Sequence, residues 1–155
     1  MTRRTKRGGR FWTHFSIWGE TLDVDRLVAM GQPRGKHEMW RRGDATLLGT
    51  KATTAGLTMT VYDGDSRAAL CRALKRFLTR QSHFLRVARE RTPAGNHSGF
   101  TTFISVGSDE LIPVGVELPA DILQLLGMAG LSWTVTASVF ETTHREKRRS
   151  RPTRR

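Results

Sequence analysis

One cysteine in 155 residues leaves no disulfide framework to hold this chain together. Long apolar runs are also missing, since the longest extend a few residues where a membrane helix needs roughly 20. The basic N-terminus is not followed by the apolar stretch of a signal peptide. These absences point to a soluble, cytoplasmic protein. The length fits one compact domain. A chain of this size buries about 70% of the surface its unfolded form exposes, so it needs neither disulfides nor a structural metal.

Signatures of chemistry are equally scarce. His14, His37, His83, His97 and His144 stand apart, with no H-x-x-x-H or H-x-H spacing and no cysteine partner for a zinc site. Cys71 falls beside Leu70 and Leu74 in a helical pattern and reads as a small buried apolar side chain. Ser66 and Ser105 lack a nucleophile-elbow sequence, while Asp23 with Asp25 and Asp109 with Glu110 suit helix starts and turns. The expectation is a non-enzyme with no catalytic residue, no metal and no cofactor.

Positive charge, in contrast, is abundant. The formal net charge is +12, from 26 Lys and Arg against 14 Asp and Glu. Most of it sits at the ends: Arg3, Arg4, Lys6, Arg7 and Arg10 come with no acid, and residues 141–155 hold seven basic residues, including Arg145, Lys147, Arg148, Arg149 and Arg151, against Glu141 and Glu146. Both ends are almost free of apolar residues. The reading is therefore a single domain over 11–140 between two disordered basic arms, 1–10 and 141–155. That domain carries 14 basic and 12 acidic residues, so the high charge belongs mainly to the arms.

Within the domain, Phe11 to Ile17 is rich in aromatic and β-branched residues and reads as a strand closed by Gly19. Asp23 and Asp25 open a short helix, with Gly31 expected as its terminating glycine. Gln32 to Lys36 is a turn, and Met39 to Arg42 and Leu57 to Tyr62 are strands. Residues 43–56 read ambiguously. Ser66 caps a middle helix through Leu78 that continues, or restarts after Ser82, through Ala88. Strands at Phe100 to Val106 and Val114 to Leu118, a helix at Ala120 to Met128 with Pro119 in its first turn, and a strand from Leu131 to Phe140 complete the pattern. Leu22 to Gly31 and Leu118 to Gly127 share the motif L-x-x-D-x-L-x-x-[ML]-G. Two strand-helix-strand units around a longer middle helix imply an α+β fold with a mixed or antiparallel sheet and helices on one face.

The L-x-x-D-x-L-x-x-M-G-x-P run with its following Gly-Lys and Trp (Leu22 to Trp40), the leucine-bearing middle helix and the closing GVELPADILQLLGMAGLSWTVTASVF resemble the bacterial domain-of-unknown-function family 4279, over roughly residues 11–140. The resemblance implies a small α+β domain without an assigned activity.

Two internal segments carry candidate anion contacts. Gly31 to Lys36 fails as a Walker loop, with three residues between its glycines and His37 after the lysine. Yet Arg34, Lys36, Trp40, Arg41 and Arg42 combine cations with an aromatic ring, although Trp40 is expected in the core. Residues 65–91 hold eight basic residues against Asp65 and Glu90, with Arg72, Arg76 and Arg80 on one helix face, while 92–140 hold four acids and no Lys or Arg. The leading expectation is a non-catalytic macromolecular binding module with an unidentified protein partner and unspecific polyanion affinity from its arms. The alternatives are a nucleic-acid-binding protein using the arms, the helix face and the 34–42 loop, and, last, an enzyme whose site is assembled from distant residues.

Overall fold

The structure, a computed structural model, describes residues 10–93, 95–107 and 117–140. The basic arms, apart from Arg10, lie outside those residues, as does most of the expected strand Val114 to Leu118. Its last two positions, Glu117 and Leu118, belong to no strand.

Nine elements follow in the order β1 (Arg10–Gly19), α1 (Val24–Gly31), β2 (Glu38–Trp40), β3 (Ala55–Gly64), α2 (Arg67–Arg80), α3 (Ser82–Arg91), β4 (His97–Gly107), α4 (Ala120–Ala129) and β5 (Ser132–Phe140). The sheet order is β2-β3-β1-β4-β5, with β4 and β5 parallel and the other pairs antiparallel. The fold is thus α+β with a mixed sheet. The first strand of the sequence occupies its centre.

Alternation along β1 sends Thr13, Phe15 and Ile17 to the helix side, where all three are fully buried. They meet Leu57 and Met59 from β3, Phe100 from β4, and Leu27, Leu70, Leu74, Phe84 and Ile122 from the helices in one core. Phe15 is the hub, with ring centroids 5.5 Å from Phe77, 6.0 Å from Phe84 and 5.4 Å from Phe100. A buried polar pair interrupts this apolar side. The Thr13 and Thr102 hydroxyls are 3.0 Å apart, and the Trp133 indole N–H donates to Thr102 Oγ1 at 3.0 Å, so each polar group there finds a partner.

Helix starts follow the sequence. Asp23 accepts the Arg26 N–H and Ser66 accepts the Ala69 N–H, as capping residues do. Helix ends depart from it. Gly31 is the last residue of α1, and Gln32 takes the left-handed position with φ 46°. Gly31 answers a packing demand, because a Cβ there would lie 2.6 Å from the Phe84 ring. In the second copy of the shared motif Gly127 lies inside α4, Gly130 takes the left-handed position, and Pro119 precedes the helix as its N-cap. The middle helix divides at Gln81 into α2 and α3. Of the ambiguous 43–56 segment, residues 43–54 form a loop joined by an Ala45–Lys51 bridge, with Leu47 and Leu48 exposed at its tip, and Ala55 and Gly56 already belong to β3. Cys71 is half-buried against the core. No helix among the described residues is long and apolar enough to cross a membrane.

Candidate functional site

Among the described residues the helices cover one face of the sheet and leave the other uncovered. On the uncovered face the residues between those of the core come together. Trp12 stands opposite Phe103 and Trp18 opposite His97 in the β1–β4 register. Trp12, Trp18 and Phe103 remain 49%, 43% and 40% exposed, a large apolar area for a surface on which no described helix packs.

Two aromatic clusters result. In the first, the Trp12 ring lies 4.4 Å from His14 and 6.0 Å from Phe103. In the second, Trp18 stacks on His97 with 28° between planes at 5.3 Å. Trp40 completes the second cluster from β2 by lying across Gly56, where any Cβ would collide with the Trp40 ring and with Trp18 Cβ. His14 of the first cluster lies in the row Thr60-His14-Thr101-Thr134, and the row Thr58-Ser16-Gly99-Ser132 next to it, toward Trp18, holds only small residues. Trp12 and Trp18 lie six positions apart along β1, roughly 20 Å at the rise of a β-strand.

Register also fixes where the basic segments join this face. Arg10 pairs with Ser105, and Ser105 pairs in parallel with Ser138. The chain therefore enters β1 and leaves β5 at the same end of the sheet, the end that carries the Trp12–Phe103 cluster. Arg10 itself is committed there to a two-pronged pair with Asp63, at 2.7 and 2.8 Å. The hydrogen-bonded guanidinium holds the Asp63 carboxyl below its ordinary range. His14, partly shielded within its cluster, has its pKa lowered by burial, against the opposing pull of Glu38 and Asp63.

The candidate loop and helix arginines divide. Arg34 and Lys36 of the turn converge with Arg76 and Arg80 of α2 on a cavity of about 280 Å³ at the β3 edge. No carboxylate lines it, and none of the four cations forms an ion pair among the described residues. The turn is held against α2 by Gln81, whose side-chain oxygen accepts the Arg34 N–H and whose amide donates to the Arg34 carbonyl. Gly35, with φ 95°, supplies the left-handed residue this turn requires. Trp40 belongs to the uncovered face and not to the core expected for it, because β2 alternation turns it away from the helices. Arg41 is paired with Asp25 at 2.6 Å. Arg42 and Arg72 are exposed and line no part of the cavity. Lys75 and Arg67 pair with Asp121 and Glu117, joining the basic helix to the acidic C-terminal half.

Two features escaped sequence reasoning. The uncovered aromatic face had a signal in β1 itself, where both alternating sets, Phe11-Thr13-Phe15-Ile17 and Trp12-His14-Ser16-Trp18, contain large rings. A strand with one solvated face shows a polar set instead. Gln81 had one too, since it interrupts the apolar helical stripe Leu70, Leu74, Leu78, Leu85 and is only 4% exposed. Among the described residues no three His, Cys, Asp or Glu side chains come together in a way that holds a metal ion.

No protein-family model matches the chain, and no curated protein or solved structure matches it.

Proposed function

We propose that this protein is a non-catalytic binding module whose macromolecular ligand is a single strand of nucleic acid, held on the uncovered face of the sheet. The observation that carries this reading is the juxtaposition of the Trp12–His14–Phe103 cluster with the end of the sheet at which both Arg-rich segments join. Exposed rings stack bases whatever their identity, and flanking cations neutralise phosphates. The row of small residues between the two clusters leaves the path across the face open and offers donors to the backbone. Arg3, Arg4, Lys6, Arg7 and Arg145 to Arg151 supply the phosphate contacts in this scheme. A chain with one cysteine suits the reducing cytoplasm, where we place it.

Fluorescence anisotropy of a labelled oligothymidylate tests the reading. The full-length protein binds at low salt, with log K falling linearly against log salt by about 0.7 per neutralised phosphate. Trp12→Ala and Phe103→Ala each weaken binding by roughly 1–3 kcal/mol and leave the salt slope unchanged. If both variants bind as the parent does, the sheet face is not the binding surface. If the parent binds no strand at low salt while a protein partner binds the parent and not Trp12→Ala, the face serves protein recognition and the nucleic-acid reading is wrong.

A further inference from the structure

The cavity between the Gln32–Lys36 turn, α2 and the edge of β3 shares only Thr60 with the rows of the sheet face and contains none of its aromatic rings. Arg76 and Arg80 lie one helical turn apart, and like charges at that spacing repel. Arg34 and Lys36 add two more cations from the facing turn, which the buried Gln81 amide fixes through both polar groups of the Arg34 backbone. A solvated charged face needs no such anchor. Among the described residues, four cations thus surround one cavity without a carboxylate to balance them, although Arg10, Arg41, Arg67 and Lys75 are paired elsewhere. The wall beneath them combines the apolar Met59, Val61, Ala73 and Phe77 with Thr60.

We propose that this cavity binds a phosphate monoester carried on a small planar organic group, of the class of a nucleoside monophosphate. The dianion is the charge that four converging cations call for, and guanidinium forks match phosphate oxygens two at a time. The flat group packs on Phe77 and the neighbouring apolar side chains, and the volume of about 280 Å³ limits the ligand to a small molecule or to one terminal nucleotide. The same monoester occurs free in a mononucleotide and at the 5′ end of a phosphorylated strand. Either source presents the same group to Arg34, Lys36, Arg76 and Arg80.

Isothermal titration calorimetry on the full chain tests the proposal with a nucleoside 5′-monophosphate, its parent nucleoside, and one short oligonucleotide in 5′-phosphorylated and 5′-hydroxyl forms. The monophosphate is expected to bind at least about tenfold more tightly than the nucleoside, and Arg76→Ala and Arg34→Ala each to reduce its affinity about tenfold or more. Arg72→Ala removes the same charge from the same helix outside the cavity and is expected to leave affinity unchanged. Without ligand, Arg76→Ala is expected to melt no lower than the parent, because it relieves repulsion; with monophosphate only the parent gains melting temperature. Binding of the free monophosphate assigns a small ligand, and binding of the 5′-phosphorylated strand over its hydroxyl form without the mononucleotide assigns a strand end; both support the site. Equal affinity for nucleoside and monophosphate together with equal affinity for the two oligonucleotide forms overturns it, as does an Arg72→Ala loss matching that of Arg76→Ala. Arg76→Ala is read on the monophosphate and Trp12→Ala on oligothymidylate, so failure of the cavity and failure of the sheet-face reading are distinguishable.

Discussion

The two faces of the sheet are built from the same strands and use the same kinds of side chain to different ends. On the helix side Phe15, Phe100 and Ile17 are fully buried and their rings interlock with Phe77 and Phe84. On the other side Trp12, Trp18 and Phe103 are equally large and stay two-fifths to one-half exposed. Burial converts the first set into folding stability, at about 25 cal/mol per Å² of apolar area removed from water. The second set has that free energy still available for a partner. Aromatic content alone therefore does not separate core from interface; which side of the pleat a ring occupies does.

The largest expected effect contrasts the faces directly. Phe15→Ala costs roughly 3–5 kcal/mol of unfolding free energy by leaving a cavity in the core, whereas Trp12→Ala costs roughly 1 kcal/mol or less, the value of a cross-strand pair. Urea denaturation of both variants measures the difference, and comparable losses would break the distinction. Next, Thr102→Val on the helix side leaves the Trp133 N–H and the Thr13 hydroxyl without their partner, at a cost of roughly 1–3 kcal/mol. A neutral result there would mean that the buried hydroxyl pair contributes nothing to the covered face.

Glycine substitutions sharpen the comparison on the covering layer. Gly31→Ala forces a methyl toward the Phe84 ring at 2.6 Å and is expected to destabilise by roughly 1–3 kcal/mol. Gly127→Ala, at the matching position of the second motif, meets nothing within 4 Å and stabilises α4 by roughly 0.5–1 kcal/mol. Thermal melts of the two should shift in opposite directions. The smallest effect is a pH dependence on the uncovered face. Burial lowers the His14 pKa, so as pH falls through the ordinary imidazole range near about 6.5 the unfolded chain takes up the proton first. Stability is therefore full above that range and declines below it. His14→Phe removes this component, and an unchanged pH profile in the variant would show that His14 does not contribute it.

Much of the fold was legible in the residues. Alternation in LTMTVY, the Ser66 and Asp23 caps and the leucine spacing of α2 are local signals, and each element formed where they stand. What was not legible depended on long-range pairing. Trp40 was expected in the core because tryptophan is usually buried, yet its side is decided by the register of β2 on Gly56, which no local pattern fixes. The cluster of Arg34, Lys36, Arg76 and Arg80 was present as two separate candidates 40 residues apart, and the Gln81 bonds that unite them cross 47 positions. Arg41 was a candidate of the same kind until Asp25 took its charge. Sequence shows which cations exist, whereas the fold decides which remain without partners.

In the proposed complex the uncovered face, and not the helix side, receives the nucleic-acid strand, and the four tryptophans report on it independently. Trp12, Trp18 and Trp40 stand on that face, while Trp133 turns its indole N–H inward to Thr102. Titration of the isotope-labelled protein with oligothymidylate, followed through the indole N–H resonances, is expected to move the first three, Trp12 most, and to leave Trp133 in place. Saturable binding that moves Trp133 alone, or none of the four, would contradict the account.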